Sequence, residues 1–238
     1  MNYSNEKLEK NRIAQSIAKE TLEEMKDILH PGMNEKLIHD IVCEKMIKKG
    51  SGAFWYHSLG ALVLLGERSV LSISARDYIP DENNILMDHD ILTIDVSPTF
   101  DSMWGDHART FFFENGKYVS YKEINDPLYK RGIQAEIILH NTLIEEIKPS
   151  MSYEEAYIHL SDKIRSLGFI NLDFHGNLGH SIEEDEKDRI CLEMGNKKTF
   201  QEYGKPFTLE PHIALKGSKT GFKMEDIYYI DGDRFSVL

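Results

Sequence analysis

The sequence contains few cysteines and comparatively few basic residues. Its two cysteines, Cys43 and Cys191, are too few for a disulfide framework and do not form the C-x-x-C pattern of a zinc site. Acidic residues outnumber basic ones by 40 to 28, which gives a net charge of −12. Because nucleic acids and anionic membranes are bound through basic surfaces, neither is an expected partner.

Long hydrophobic segments are also lacking. The apolar runs are far shorter than the roughly 20 residues that span a bilayer, and the polar N-terminus has no signal-peptide core. Together with the scarcity of cysteine, these features predict a cytoplasmic protein.

Several common catalytic motifs are absent as well. There is no G-x-S-x-G nucleophile elbow and no H-E-x-x-H zinc helix. Residues 217–221, Gly-Ser-Lys-Thr-Gly, superficially resemble a phosphate loop, but they lack its G-x-x-x-x-G-K-[ST] spacing and are flanked by strand-like segments. We interpret them as a hairpin turn. Cys191 has none of the surroundings typical of a nucleophile.

What the chain does contain is a sizeable apolar fraction with clear periodicity. Its 238 residues are 41% hydrophobic, and we expect one compact unit spanning residues 1–238. Apolar spacing predicts helices over residues 8–29, 34–49, 126–147 and 152–168. Residues 54–74, rich in aromatic and aliphatic types, are predicted to form strands. The third helix is expected to face the core through Ile133, Ile137, Ile138, Leu143 and Ile147.

Two apolar runs in the middle of the chain predict a hairpin that brings two acids together. The run within residues 91–98 carries Asp95, and a second run within residues 105–113 starts just after Asp106. Facing carboxylates in apolar surroundings repel each other, and a bound cation would relieve that repulsion. Two solvated acids at strand ends are an equally good interpretation of this stretch alone.

The segment around the second predicted helix recurs later in the chain. Six positions match at one constant spacing, which indicates two copies of an α/β unit, roughly residues 28–125 and 146–238. The matching pairs are Pro31 and Pro149, Met33 and Met151, Asn34 and Ser152, Lys45 and Lys163, Met46 and Ile164, and Gly50 and Gly168.

A duplicated unit predicts a second acidic hairpin downstream. Residues 207–211 form an apolar run that includes Glu210, and residues 223–230 form a returning strand that contains Glu225. If the halves pack face to face, these acids join the first pair. Four converging carboxylates cannot all stay ionised at neutral pH without bound cations, so the sequence predicts a metal site.

The second half also carries two histidines, His175 and His180, on a glycine-containing loop that allows tight backbone geometry. A lone histidine is usually structural, but in a chain with four converging acids His180 is predicted to be a metal ligand. The roles of His57, His107 and His212, near strand ends, stay open. The remaining histidines are interpreted as surface residues: His30, His39, His89, His140 and His159.

Taken in order, these motifs resemble the pita-bread superfamily of methionine aminopeptidases, Xaa-Pro aminopeptidases, prolidases and creatinase. The resemblance extends over nearly the whole chain and is carried by Ile94-Asp95-Val96, Gly105-Asp106 with residues 108–111, Gly179-His180, residues 207–211 with Glu210, and residues 224–226 with Glu225. It implies an α+β fold with two pseudo-symmetric α/β halves around a mainly antiparallel curved sheet. The size is similar to a methionine aminopeptidase, because the prolidase and Xaa-Pro members carry an additional N-terminal domain.

The resemblance further implies two divalent metal ions, and Mn, Co, Fe and Zn are all used in the superfamily. It places Asp95 on one ion, His180 and Glu210 on the other, and Asp106 and Glu225 as bridges between both. It also makes Glu210 the proton shuttle for a water that bridges the ions.

Two positions depart from the family pattern. Asp77 stands where a substrate-contacting histidine is expected before the first ligand, and Lys187 stands where a second histidine follows the ligand His180. His175 is near a place where Xaa-Pro enzymes keep another histidine, so we expect it to compensate. These changes affect groups that polarise the scissile carbonyl and stabilise its tetrahedral intermediate.

The resulting functional hypothesis is a dinuclear metal-dependent aminopeptidase-type hydrolase. It would act on a peptide N-terminus or a related small amide, with Glu210, His175 and Asp77 in catalytic roles. Two alternatives stay open. One is a superfamily member that has become a binding module, and the other is a creatinase-like, metal-free C–N hydrolase. Retention of all five ligands, including a costly carboxylate cluster, argues against both.

Overall fold

The computed structural model describes residues 3–238, except for the side chain of Glu186. Its helices are α1 (Asn5–Ile28), α2 (Glu35–Lys48), α3 (Pro127–Glu146), α4 (Tyr153–Ser166) and α5 (Phe200–Tyr203). Short 3₁₀ helices cover Gly66–Val70 and Glu186–Asp188. Across the described residues, no helix is both long and apolar enough to cross a lipid bilayer.

Twelve strands of the described chain form four antiparallel sheets. The first half contains β1 (Ala61–Leu65), β2 (Asp90–Val96), β3 (Thr99–Phe100), β4 (Met103–Trp104), β5 (His107–Glu114) and β6 (Lys117–Val119). The second half contains β7 (Phe169–Asn171), β8 (Phe207–Leu209), β9 (His212–Leu215), β10 (Gly221–Lys223), β11 (Asp226–Asp231) and β12 (Arg234–Val237). The strand orders are β1-β2-β5-β6, β3-β4, β10-β9-β7 and β12-β11-β8.

The helices start where the sequence provides capping side chains. Asn34 accepts a hydrogen bond from the Leu37 amide at 2.8 Å, and Ser152 accepts one from the Glu155 amide at 3.1 Å. Both caps follow a proline-containing turn, and α2 and α4 are each followed by a strand, β1 or β7. The duplicated unit itself stays a prediction of the sequence.

The inward face of α3 agrees with the predicted one only in part: Ile133, Leu143 and Ile147 are buried as expected. Ile137 and Ile138 are each 38% exposed, whereas Glu136 and His140, one a charged residue and the other predicted to lie on the surface, are buried. The helix packs against α4, β10 and β12, and His140 contacts Tyr228 and Met224. His140 has hydrogen-bond partners there, whereas neither carboxylate oxygen of Glu136 has one among the described residues, so tertiary packing rather than apolar spacing decides which of these side chains are buried.

The predicted strands over residues 54–74 form only in part. β1 covers Ala61–Leu65, and a 3₁₀ helix follows at once. Before β1, His57 and Ser58 have positive φ angles of 49° and 60°, which interrupts the extended backbone. The segment that precedes β1 is therefore a loop, and it borders the cavity described below.

Each half has its own hydrophobic core, and contacts across the molecule join them. Helices α1 and α2 pack against the β1-β2-β5-β6 sheet, while α3 and α4 pack against the strands of the second half. At the junction, the Glu225 amide donates to the Ala108 carbonyl at 3.0 Å. The Lys223 amide donates to the Thr110 hydroxyl at 2.9 Å. The end of β10 is thereby fixed to the middle of β5.

Candidate metal centre

A cavity of about 560 Å³ opens between the two halves, and all five predicted ligands line it. Those residues are Asp95, Asp106, His180, Glu210 and Glu225. The prediction that acids from both halves converge therefore corresponds to the observed geometry. Their individual roles stay predictions.

Strand β2 delivers Asp95 through simple alternation of side chains. Its even-numbered apolar residues, Leu92, Ile94 and Val96, belong to the first core. On the opposite face, Thr93 and Asp95 border the cavity. A strand that is apolar on one face and polar on the other thus places a carboxylate at the cavity wall.

Asp106 precedes β5 and is fixed through its backbone by helix α1. The Asp106 amide donates to Gln15 Oε1 at 2.8 Å, and Gln15 Nε2 donates to the Asp106 carbonyl at 2.9 Å. The helix approaches so closely that a Cβ on Gly105 would lie 2.7 Å from the Ala14 carbonyl carbon. Gly105 therefore permits the contact that orients Asp106.

His180 is held on a loop rather than on a long strand. Its amide donates to the Thr208 hydroxyl at 3.0 Å, and Nδ1 donates to the Ser181 carbonyl at 3.1 Å. Because this bond requires the proton on Nδ1, the Nε2 lone pair is free for a metal ion. Gly179, with a φ of +152°, brings the loop so near that a Cβ would lie 2.1 Å from the Thr208 carbonyl oxygen.

Three of these side chains present their ligand atoms to one point. Atoms of Asp106, His180 and Glu225 all lie within 4.8 Å of one another, and all three residues are buried. His180 Nε2 is 3.6 Å from Asp106 Oδ2 and 3.5 Å from Glu210 Oε1. Among the described residues, neither carboxylate oxygen of Glu225 has a hydrogen-bond partner, and its one ion-pair contact is Lys223 Nζ at 3.4 Å from Oε2. This buried carboxylate beside an aspartate and an imidazole fits a divalent ion.

The electrostatics of the protein alone are unfavourable at this point. Burial raises the pKa of Glu225 well above its usual value, and the charges of Asp106 and Glu210 raise it further. Burial likewise raises the pKa of Asp106, with Asp95 and Glu210 adding to the effect. A cation at this place would reverse both shifts, because it stabilises the ionised carboxylates.

Lys223 supplies one cation from the chain itself, and the sequence analysis did not identify it. Its Nζ lies 2.6 Å from Asp95 Oδ2, 3.0 Å from Glu210 Oε2 and 3.4 Å from Glu225 Oε2. Burial opposes the charge, but Asp95, Glu225 and Glu210 outweigh it and raise the pKa of Lys223. Extended backbone two residues before Glu225 places both side chains on one face, which was the available signal.

The predicted catalytic residues are placed differently from one another. Glu210 and His175 both line the cavity. Burial opposes ionisation of Glu210, but Lys223 and His180 outweigh that effect and lower its pKa. Glu210 is therefore ionised at neutral pH and can accept a proton.

Asp77, predicted to face the substrate, is exposed and is not part of the cavity wall. It lies in a turn closed by its own amide, which donates to the Ser74 carbonyl at 2.9 Å. Because consecutive side chains of a turn diverge, Arg76 reaches the wall in its place, where Arg76 Nε donates to His57 Nε2 at 3.0 Å. Substitution of a histidine by Asp77 therefore does not put an acid into the cavity.

Other charged and aromatic groups form the remaining wall. Arg189 lies over the Trp55 ring, with 5.2 Å between its guanidinium carbon and the ring centre. His212 also lines the cavity and donates from Nε2 to the Ser69 carbonyl at 2.7 Å. Lys187, the second departure from the family pattern, is exposed, pairs with Asp185 at 2.7 Å and is not in the wall.

A buried polar network supports the cluster from behind. Arg109 donates to both carboxylate oxygens of Asp226, at 2.9 and 2.8 Å, and to the Glu225 carbonyl at 2.7 Å. Burial raises the pKa of Asp226, but contact with His107 and the charge of Arg109 reverse this and lower it. The network joins β5 to β11 and thereby fixes the backbone of Glu225.

Comparison with known proteins agrees with this geometry. The model of Metallopeptidase family M24 matches residues 9–232. The chain belongs to family M24. No curated protein gives a match to it.

Several solved structures share the fold of this M24 chain. The X-Pro aminopeptidase from Thermotoga maritima MSB8 is 19% identical and has a TM-score of 0.82, with 100% of this chain and 62% of that chain covered. The prolidase from Pyrococcus furiosus is 20% identical and has a TM-score of 0.76, with 99% of this chain and 64% of that chain covered. The methionine aminopeptidase from Thermotoga maritima is 17% identical and has a TM-score of 0.78, with 100% of this chain and 98% of that chain covered.

These similarities confirm the predicted α+β pita-bread fold. The chain spans about three fifths of the length of the X-Pro aminopeptidase and the prolidase, and nearly the full length of the methionine aminopeptidase. At such low identity the similarity concerns the fold, and substrate preference has to be argued from the cavity itself.

Proposed function

We propose that the chain is a metal-dependent exopeptidase that removes an N-terminal residue from a peptide or cleaves a related small amide. The observation that carries the proposal is the convergence of Asp106, His180 and Glu225 within 4.8 Å at the base of a cavity. The match to a metallopeptidase family over residues 9–232 supports the same conclusion.

The donor set of the proposed centre contains the five predicted ligands. Asp95 would serve one divalent ion, His180 and Glu210 the other, and Asp106 and Glu225 both. A divalent ion held by these residues would polarise the scissile carbonyl and lower the pKa of a bound water. Carboxylate-rich ligands with one imidazole suit borderline ions such as Mn²⁺ or Co²⁺.

Glu210 is the proposed proton acceptor. It is ionised because Lys223 and His180 lower its pKa, and its Oε1 lies 3.5 Å from His180 Nε2 at the centre of the cluster. A carboxylate at this place can take a proton from the attacking water and return it to the leaving amine. Glu210→Gln should therefore reduce kcat by roughly a hundredfold or more.

His175 and Arg76 are proposed to contact the substrate. Both line the cavity, whereas Asp77 does not. An imidazole or a guanidinium can donate a hydrogen bond to a developing oxyanion, which an ionised aspartate cannot. In this proposal, His175 and Arg76 take the role of the family histidine that is missing at position 77.

The experiment that tests this function uses the full chain, stripped of metal and reconstituted with Mn²⁺ or Co²⁺. A panel of peptides with N-terminal Met or with Pro in the second position is then analysed by mass spectrometry. We expect metal-dependent release of the N-terminal residue, and loss of release in His180→Ala. Absence of cleavage with every reconstituting ion would contradict the proposal.

A second candidate function is a binding module that keeps the fold without hydrolysis. The observation that favours it is Lys223, which already neutralises part of the carboxylate cluster without a metal ion. The same peptide panel distinguishes the two functions. A binding module would retain peptides intact in equilibrium dialysis, whereas an exopeptidase would shorten them.

A further inference from the structure

The carboxylate cluster has two sides with different partners. On the side formed by Asp106 and His180, hereafter the histidine side, Glu210 Oε1 lies 3.5 Å and Asp106 Oδ2 lies 3.6 Å from His180 Nε2. On the side formed by Asp95 and Lys223, hereafter the lysine side, the ammonium lies 2.6 Å from Asp95 Oδ2. The lysine side thus carries an ammonium within ion-pair distance of its carboxylates.

The ammonium contacts three different carboxylates, which is the role that a metal ion would have there. Besides Asp95, Lys223 Nζ lies 3.0 Å from Glu210 Oε2 and 3.4 Å from Glu225 Oε2. An ammonium and a metal ion cannot share one space, and two cations in contact within a buried site repel each other strongly. The Lys223 ammonium therefore already occupies the position on the lysine side that a second metal ion would take.

The backbone of Lys223 is fixed, so the ammonium does not reach the cluster by chance. The Lys223 amide donates to Thr110 Oγ1 at 2.9 Å, and Thr110 Oγ1 donates to the Lys223 carbonyl at 2.9 Å. The side chain is 14% exposed, which leaves few alternative positions for its head group. A charge held at this place is part of the site.

Counting charges shows what the ammonium changes. Without Lys223, two divalent ions would balance the four carboxylates. With Lys223 in place, one divalent ion leaves one negative charge and two ions leave one positive charge within a buried site. The ammonium therefore removes the charge balance that would favour a second ion.

We propose that the Lys223 ammonium occupies the second metal position, so that the chain binds one divalent ion tightly on the histidine side and a second one only when the ammonium is displaced. The inference rests on the proposed function only in requiring that the cluster binds metal. It makes the two positions of the centre unequal and gives Lys223 control over the second.

Calorimetric titration of the metal-free full chain with Mn²⁺, together with elemental analysis, tests this inference. The wild-type chain should bind one ion tightly and a second at least roughly a hundredfold more weakly, because the like charges repel. In Lys223→Met, which removes the charge but keeps an unbranched side chain, the second ion should bind with an affinity close to that of the first.

Two variants serve as controls. Lys219→Met removes a charge from the turn that precedes β10, where Lys219 pairs with Glu67 at 2.8 Å outside the cluster, and should leave the two unequal steps unchanged. Lys223→Arg keeps the positive charge and should keep the second step weak. If Lys219→Met tightens the second step as much as Lys223→Met does, the effect is one of total charge and the inference is wrong.

Electron paramagnetic resonance keeps the test informative if Lys223→Met does not fold. With two equivalents of Mn²⁺, the wild-type chain should give the spectrum of an isolated ion plus free Mn²⁺, without an exchange-coupled pair. A coupled pair in the wild-type chain, or two equal calorimetric steps, would overturn the inference while leaving the proposed function intact. Absence of any metal binding by wild type and Lys223→Met alike would overturn both.

Discussion

The two halves of the chain each provide two acids, but they hold them by different means. In the first half, Asp95 lies within the seven-residue strand β2, which pairs along its length with β5. In the second half, β8 and β10 have three residues each, and Glu210 and Glu225 lie just beyond them. Regular register positions Asp95, whereas contacts with other segments position Asp106 and the second pair.

This difference means that the second half relies on the first for its geometry. The Glu225 amide donates to the Ala108 carbonyl of β5 at 3.0 Å, and Lys223 is fixed by Thr110 of the same strand. The Asp95 backbone, in contrast, pairs with Ala108 and Leu62 within its own sheet. Changes at the junction should therefore affect the second half most.

The largest expected effect comes from breaking the ion pair that joins the halves. Arg109→Met leaves the buried Asp226 carboxylate without its bidentate partner, which should lower the free energy of unfolding by about 3 kcal/mol. Urea unfolding followed by circular dichroism measures the loss. Arg165→Met, which removes an exposed arginine–aspartate pair, is the matched control and should cost below about 1 kcal/mol. Similar losses in both variants would mean that the junction pair does not hold the halves together.

The second effect concerns the ion that both halves bind. At a metal concentration a hundredfold above its Kd, the folded chain should gain about 2.7 kcal/mol over the metal-free form. Asp106→Ala and His180→Ala, one from each half, should each remove most of that gain. Thermal unfolding with and without Mn²⁺ measures it. An unchanged melting temperature in the wild type would show that the acids do not form one site.

A third comparison uses the two glycines that precede a ligand, one in each half. Gly179→Ala places a Cβ 2.1 Å from the Thr208 carbonyl oxygen at a φ of +152°, and should cost about 2 kcal/mol. Gly105→Ala, with its nearest contact at 2.7 Å and no unusual φ, should cost less. Because the shorter contact and the positive φ lie directly beside His180, Gly179→Ala should also weaken Mn²⁺ binding more than Gly105→Ala does. Calorimetry of both variants measures this ranking, and the reverse order would contradict it.

The smallest effect is a pH dependence from the second half. Burial lowers the pKa of His140 from 6.5 to about 4, so the folded chain keeps this residue neutral where the unfolded chain protonates it. The stability that His140 contributes is present above pH 6.5 and is lost as the pH falls towards 4. Between pH 7.5 and 5.5 the loss should be about 1.3 kcal/mol.

His140→Gln should remove this part of the pH dependence, because an amide does not titrate. Urea midpoints of wild type and variant at pH 7.5 and 5.5 give the comparison. His159→Gln is the control, since His159 is an exposed residue of α4 that pairs with Glu146. If the slope of His140→Gln equals that of the wild type, another group accounts for the acid sensitivity.

The same contrast between halves explains what the sequence could predict. Asp95 was accessible because strand alternation and a single acid in an apolar run give a clear local signal. The capping residues Asn34 and Ser152 likewise mark their helices without any knowledge of the tertiary structure. Local rules were sufficient wherever the backbone is regular.

Where the sequence analysis was wrong or silent, the determining contacts are distant in the chain. His140 is buried and forms hydrogen bonds with the Tyr228 hydroxyl at 2.6 Å and the Met224 carbonyl at 3.1 Å. No pattern within α3 reveals these partners. Asp77 was assigned to the cavity by its place in the family pattern, but the orientation of a turn decides which side chain enters. Lys223 was treated as part of a strand although its charge faces three acids.

The two hydrogen bonds between Gln15 and the Asp106 backbone affect the order in which the protein folds during synthesis. Gln15 can bind the Asp106 backbone only after Asp106 has been synthesised, and β5 can accept the bond from Glu225 only later still. The centre therefore joins segments that lie far apart in the chain. Contacts over such distances form slowly, since long loops have to close first. We therefore expect the metal to bind late, after translation, and a bound ion would indicate that the distant segments have packed together.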